Sequence, residues 1–378
     1  MVVRIEKLAT GAVGVAHADD RTVLINGVLP GEVVECSEGV VKKGFLVPDK
    51  MRVIEASPLR IQPSCPYYGI CGGCDFQIVS EKDSAELKME ILRDNLRRIG
   101  HREDIPEEIT IHWGNFNGYR HRSRFHVDCR TRRWGFLARK SSEIVSMESC
   151  PALSSRLNAL LKDGKALLEK GRSAMFSNAV DRQTGFAEVS AFEGDEAVSL
   201  GDERVGISIA GTHYTVTGNV FFQSNPRVLP SLFSFVRENA VGDSIMDLYS
   251  GVGTFSALFE GSGKRVYAVE RDKACLALSR INAPSALSFT ADVALWGKKS
   301  GRYADTVIVD PPRTGLSQEA LSLILSWNPE RIIYVSCNSA TLSRDVSAMK
   351  DYRIKSAALF DFYPGTGHDE NALVLERL

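Results

Sequence analysis

Three cysteines, Cys65, Cys71 and Cys74, crowd into "CPYYGICGGCD" (residues 65–75) of a 378-residue chain that holds eight. Thiols at a Cys-x5-Cys-x2-Cys spacing suit a disulfide, a zinc site or an iron–sulfur cluster. The amino terminus, "MVVRIEKLAT", carries Arg4, Glu6 and Lys7 and lacks the apolar run of a secretory leader, so the chain reads as cytoplasmic. Thiols stay reduced there, which favours metal or catalysis over a disulfide. A different thiol is placed for nucleophilic chemistry. Cys337 ends an apolar strand in "RIIYVSCNSATLSRDV", just before a helix, where a lowered pKa is expected. A buried, inert cysteine is the plainer alternative. Its place at the crevice end of a strand argues against that alternative.

Carboxylates fall at neighbouring strand ends. "ADTVIVDPPRTGLS" is an apolar strand ending in Asp310 before two prolines that stiffen the exit. "SIMDLYSGVGTFSALF" reads as a buried strand, a glycine turn at Gly251 and Gly253 and the start of a helix. "KRVYAVE" then ends in Glu270, 19 residues after Gly251, where an acid can accept both hydroxyls of a ribose. Dehydrogenases share that logic, but Ser256 stands at the third glycine of their fingerprint. Asp247, just before the loop, can orient it or reach a cationic cofactor. The arrangement resembles methyltransferases that use S-adenosylmethionine (SAM). An ordinary strand–turn–helix unit with merely exposed acids is the alternative.

These residues need elements to hold them. Residues 1–55 read as short strands broken by Gly, Asp and Pro, a pattern that a small OB-like β-barrel would close. "SEKDSAELKMEILRDNLRRIG" is a helix with Leu87, Ile91, Leu92, Leu96 and Ile99 on one face and Gly100 as its stop. From about 119 to 222 the pattern is mostly strand, interrupted by a helical "SSRLNALLKDGKALLEKG". After Pro226, strands and helices alternate as in a parallel α/β sheet.

The formal net charge is −1, with 44% hydrophobic and 25% charged residues, so any nucleic-acid partner must meet a local basic patch. No apolar run approaches a membrane span. "GYRHRSRFHVDCRTRRWGFLARK" supplies seven arginines and one lysine against Asp128. Alternation in a strand puts Arg120, Arg122 and Arg124 on one face, with Tyr119, Phe125, Trp134 and Phe136 interleaved. Arginine with aromatic residues suits looped RNA; a solvated charged face is the alternative.

Taken in order, "LPGE", "CPYYGICGGCDFQ", "FFQSNP", "DLYSGVGTFS", "DPPRTGL", "SCNSATLSRD" and "GTGHDENALVLERL" resemble the RNA uracil-5-methyltransferases, in particular the iron–sulfur branch acting on 23S rRNA. The resemblance implies a TRAM-type OB-like β-barrel over 1–55, a central β-rich domain with an iron–sulfur cluster over 60–222, and a Rossmann-like SAM methyltransferase domain over 223–378. Residues 81–112 are the segment that could pack on the catalytic domain. It further implies a [4Fe–4S] cluster on Cys65, Cys71, Cys74 and Cys150, the last from "MESCPAL". It places SAM contacts at Gln223, Tyr249, Thr254, Glu270, Asp292 and Asp310, with Asp310 also holding the uracil. Cys337 becomes the nucleophile and Glu370 the base, ahead of His368 and Asp369. Arg120, Arg122 and Arg124 become RNA contacts of a monomer without membrane attachment. Departures from the family pattern are Ser250 for Cys, Ser339 for proline, and a short linker before Asp292. The competing readings are a transfer-RNA uridine methyltransferase, a SAM enzyme acting on an exocyclic amine, and a non-catalytic RNA-binding iron–sulfur protein.

Overall fold

The computed structural model describes residues 1–18, 21–177 and 179–378. Its largest sheet has eight strands in the order Leu287–Thr290, Arg265–Glu270, Ser244–Leu248, Thr306–Val309, Arg331–Ser336, Asn371–Arg377, Tyr352–Phe360, Thr110–His112. The first five run parallel, while Asn371–Arg377 is antiparallel to both of its neighbours. The central parallel strands are buried along their length, which explains runs such as Thr306–Val309 and Arg331–Ser336 that carry no polar alternation. The strand order reverses between Ser244–Leu248 and Thr306–Val309, so a crevice opens beyond their carboxyl ends.

The helix Glu81–Arg98 lies on this sheet's own core. Ser80 caps it by accepting from the Asp83 N–H, and Leu92 and Leu96 are buried with Val307, Leu342 and Leu373. Its apolar face ends at Leu96, because Ile99 is the cap residue and is exposed. Gly100 is required by space: a Cβ there would stand 2.6 Å from the Leu96 carbonyl oxygen. The strand Thr110–His112 then joins the eight-stranded sheet parallel to Tyr352–Phe360. Residues from before the basic segment therefore build part of this layer.

Residues 2–55 form eight short strands in a three-stranded and a five-stranded sheet around Val3, Ile5, Val23, Ile25 and Val34. The central region is a five-stranded antiparallel sheet, including Arg122–Asp128 and Phe186–Glu193, beside a hairpin of Arg204–Ile209 and Thr212–Thr217. The single helical stretch expected around 154–171 is two helices, Ser155–Asp163 and Lys165–Ser177. Gly164 breaks it at φ 64°, where any side chain would run into Trp134. The helix expected after the Gly251 turn is also corrected. Only a 3₁₀ turn, Ser256–Phe259, forms, and Gly261 and Gly263 at positive φ end it. Among the described residues, no helix is long and apolar enough to cross a membrane.

Candidate active site and thiol pocket

A cavity of about 410 Å³ opens at the strand ends. Gln223, Tyr249, Thr254, Glu270, Asp292, Asp310, Cys337 and Glu370 all line it. Each arrives by local geometry. Tyr249 follows the strand Ser244–Leu248 at φ 61°, a left-handed conformation that turns the chain over the crevice. Glu270 accepts from the Gly251 N–H at 3.1 Å and the Asp272 N–H at 2.7 Å, which fixes the acid against the glycine loop. Asp292 caps the helix Val293–Ser300, accepting from Ala294 at 3.0 Å. Asp247 lies behind the loop and orients it: one oxygen takes the Ser256 N–H at 2.9 Å and hydroxyl at 2.6 Å. Its other oxygen is buried without a partner.

Cys337 sits in a tight turn. The Ser336 hydroxyl donates to the Asn338 carbonyl at 3.1 Å and accepts from the Asn338 N–H at 3.1 Å. Asn338 then caps the helix Ser339–Val346. A lowered thiol pKa was expected there, and the structure corrects this. Burial, and then the carboxylates Glu370 and Asp310, push Cys337 up to about 12, against the opposing pull of Arg313. The helix terminus is outweighed by acids at the ends of the two flanking strands, Thr306–Val309 and Asn371–Arg377. Those acids resist ionisation too. Burial, and then Asp247, raise Asp310 to about 7. Burial, followed by Asp310 and Asp369, holds Glu370 well above the carboxylate range, although Gln223 donates to it. His368 is pushed down to about 4 by burial and Arg313, so its imidazole is neutral.

The cysteine segment makes a second site. Cys65, Cys71, Cys74 and Cys150 line one pocket together with Phe116, Arg120 and Phe136. Cys150 is held from behind, since Asn158 accepts its N–H at 2.8 Å and donates to its carbonyl at 2.9 Å. The Gly73 N–H points at the Cys71 sulfur, 3.4 Å away. Four thiols facing one pocket, one of them receiving an N–H, are the donor set of a tetrahedral metal or an iron–sulfur cluster. The sulfurs are not drawn together, however. Among the described residues, no three Cys, His, Asp or Glu side chains stand in a metal-holding group.

The three arginines do not share one face. The strand begins at Arg122, and Arg120 lies before it in a single parallel bridge to Leu153. The Arg120 side chain enters the thiol pocket, and its Nε is buried without a partner. Arg122 donates to the Val220 carbonyl at 3.1 Å and lies 5.8 Å from the Phe221 ring centroid, at the cavity edge. Arg124 is exposed and pairs with Glu188 at 3.1 Å. The alternation holds only inside the strand, and the chain turns before it.

Sequence reading missed the residues that hold the site from behind. Lys88 and Asp361 form a fully buried ion pair at 2.8 Å between the helix Glu81–Arg98 and the end of the strand Tyr352–Phe360. A lysine inside the apolar stripe of that helix was the available signal. Asn95 donates to the Ser339 hydroxyl at 3.0 Å, two residues from Cys337. Ser339 also hydrogen-bonds Asp369.

Residues 294–378 match the family model described as tRNA (Uracil-5-)-methyltransferase. A 23S rRNA (uracil(1939)-C(5))-methyltransferase of Methylococcus capsulatus is 28% identical over 426 residues, covering 99% of this chain and 96% of that protein. Its counterpart in a Marinomonas species is 29% identical, covering 99% and 94%. Along nearly its whole length the chain is similar to these RNA uracil-5-methyltransferases. The fold agrees: a Pyrococcus abyssi tRNA (uracil-54, C5)-methyltransferase, solved with S-adenosyl-L-homocysteine, superposes with a TM-score of 0.76 at 23% identity over 99% of both chains. That likeness extends through the residues before 294, which the family model leaves unmatched.

Proposed function

We propose that this chain transfers the methyl group of SAM to carbon 5 of a uridine in RNA, with 23S rRNA as the substrate. One observation carries the chemistry: a thiol, Cys337, and a carboxyl, Glu370, face the same cavity as Glu270 and Asp292. Carbon 5 of uracil is a weak nucleophile. A Cys337 thiolate adding to carbon 6 pushes the ring electrons into an enolate, and carbon 5 then attacks the methyl group of SAM, whose methyl–sulfur bond breaks to leave S-adenosylhomocysteine. Carbon 5 afterwards carries both the methyl and a proton. Glu370 removes that proton, the electron pair re-forms the 5,6 double bond, and the carbon–sulfur bond breaks to release the thiolate. Asp310 holds the uracil edge, and Glu270 holds the ribose of the methyl donor. Acids that resist ionisation in the cavity favour a cationic sulfonium ligand, which would lower the cost of their charge and of the thiolate.

The choice of 23S rRNA follows the two relatives that match along nearly the whole chain and carry that substrate in their names. Arg122 and Arg124 supply the basic approach, and residues 1–55 a TRAM-type RNA-binding barrel. Cys65, Cys71, Cys74 and Cys150 would hold a [4Fe–4S] cluster, which would crosslink the 65–74 segment to Cys150. Mapping 5-methyluridine in ribosomal and transfer RNA, from cells with and without the gene, tests the proposal. Loss of one 23S rRNA site is expected. A loss confined to the transfer-RNA pool would reassign the substrate, and no loss would overturn the activity.

A further inference from the structure

The base, Glu370, stands at the end of the connection 361–370 between two antiparallel strands, Tyr352–Phe360 and Asn371–Arg377. No ladder supports the tip of such a connection, so other groups must hold it. Its first residue is gripped by Lys88 through Asp361. Its tip is gripped by the residues that follow the last cysteine of the cluster segment. An Asp75 carboxylate oxygen accepts the Gly367 N–H at 2.8 Å, and the Phe76 N–H donates to the Gly365 carbonyl at 3.0 Å. The seat is tight. A Cβ on Gly365 would lie 2.8 Å from the Phe116 ring, and one on Gly367 would lie 2.2 Å from the Gly11 carbonyl oxygen. Gly365 also needs its φ of 76°.

We infer that Asp75 is a positioning residue for the Glu370 base, acting through its hydrogen bond to Gly367. Glu370 is three residues from Gly367, and its carboxyl must meet the carbon 5 proton within hydrogen-bond reach, so a small drift of the tip falls on proton removal. Because Asp75 follows Cys74 directly, the thiol pocket and the base loop are one mechanical unit. Cys337 is carried by a different strand and turn and is not held by this bond. The inference rests on the assignment of Glu370 as the base. It separates two steps of one reaction: thiol addition is independent of Asp75, whereas elimination depends on it.

The test uses the full-length, metal-loaded protein with a 23S rRNA fragment, SAM, and single-turnover sampling on denaturing gels. Asp75→Ala should slow product release by about 10–100-fold and accumulate covalent RNA–protein adduct, while adduct formation stays within about twofold of wild type. Asp75→Asn keeps an accepting oxygen and should restore release to within about threefold. Amide exchange in the 361–370 peptide should quicken in the Ala variant and return in the Asn variant. Glu370→Gln, run alongside, should trap adduct. If it traps adduct and Asp75→Ala does not, the inference fails and the base assignment stands; if Glu370→Gln turns over normally, the base assignment itself fails. Unchanged exchange in Asp75→Ala would overturn the clamp on either outcome. Metal content is measured for each variant, with Cys65→Ser as the metal-depleted control. Should Cys65→Ser, with Asp75 intact, trap adduct to the same degree as a metal-poor Asp75→Ala, loss of metal rather than of the bond would be the cause, and the inference would fall.

Discussion

The cavity beside Cys337 offers about 410 Å³ to a ligand, whereas the four-thiol pocket holds only about 20 Å³ of free space among Tyr67, Tyr68, Phe116, Phe136 and Met147. Both are lined by reactive side chains, and they are built differently. In the cavity, each group is fixed by its own strand end, turn or cap: Tyr249 by a left-handed turn, Asp292 by its helix, Cys337 by the Ser336–Asn338 bracket. The thiol pocket depends instead on two remote segments. Residues 65–74 fold against the strand Arg133–Leu137 through the Gly72 N–H on Leu137, and Cys150 arrives separately on Asn158. A sheet edge preforms a ligand cavity because backbone pairing already sets the strand ends. Convergent loops have no such frame, and the proposed cluster would supply the last constraint.

Removing Cys337 should break the cavity side of this contrast with the largest effect. Cys337→Ala should retain RNA binding yet form neither adduct nor 5-methyluridine, a loss of roughly 10⁴-fold or more if covalent catalysis operates. Tritium release from carbon 5 of labelled RNA measures it, and residual methylation within tenfold of wild type would defeat the covalent route. The raised thiol sharpens the point. A thiol reacts as its thiolate, so with a pKa near 12 the free protein should alkylate at Cys337 slowly at pH 7 and faster with each pH step upward. Mass spectrometry of the Cys337 peptide after iodoacetamide reads this directly. Rapid alkylation at pH 7 without ligand would mean that the surrounding acids do not hold the proton on.

The thiol pocket should fail in a different way. Cys150→Ser should lose metal to the same extent as Cys71→Ser and lower the thermal midpoint, because either change would open the link that the proposed cluster makes between the two segments. A structural metal of this kind contributes several kcal/mol, so a fall of about 5 °C or more is expected. Iron analysis and melting under anaerobic conditions decide it. A Cys150→Ser protein with a full metal complement would remove Cys150 from the donor set.

How much of each region could be read from the chain follows from the same difference. Glu270 and Asp310 could be read because strand patterns have a period and a definite end, and the crevice lies where they end. Cys337 could be placed, but its protonation could not. The acids that raise it come from strands 27 and 33 residues away, at Asp310 and Glu370, and no local pattern records their meeting. Arg120 was misplaced because alternation was carried two residues past the start of a strand that begins at Arg122. Lys88, Asp361, Asp75 and Asn95 act between segments, from 244 to 292 residues apart, and only the fold brings them together.

The smallest expected effect concerns what the preformed cavity costs. Asp310 has an ordinary carboxyl pKa near 3.9 in the unfolded chain and is pushed up to about 7 in the fold by burial and by Asp247. With the folded value above the unfolded one, the native state binds more protons between these limits, so stability falls as pH rises from about 4 to 7. Above pH 7 the folded protein carries a carboxylate that the unfolded chain would solvate better. Asp310→Asn removes that charge while keeping the shape. The variant should therefore be more stable than wild type at pH 8, by on the order of 1 kcal/mol, and the gain should shrink at pH 5. Urea titrations of the ligand-free protein at the two pH values measure the difference. A gain that is equal at both would assign the effect to packing. A loss at pH 8 would show that the Asp310 carboxylate is better solvated in the cavity than its burial implies.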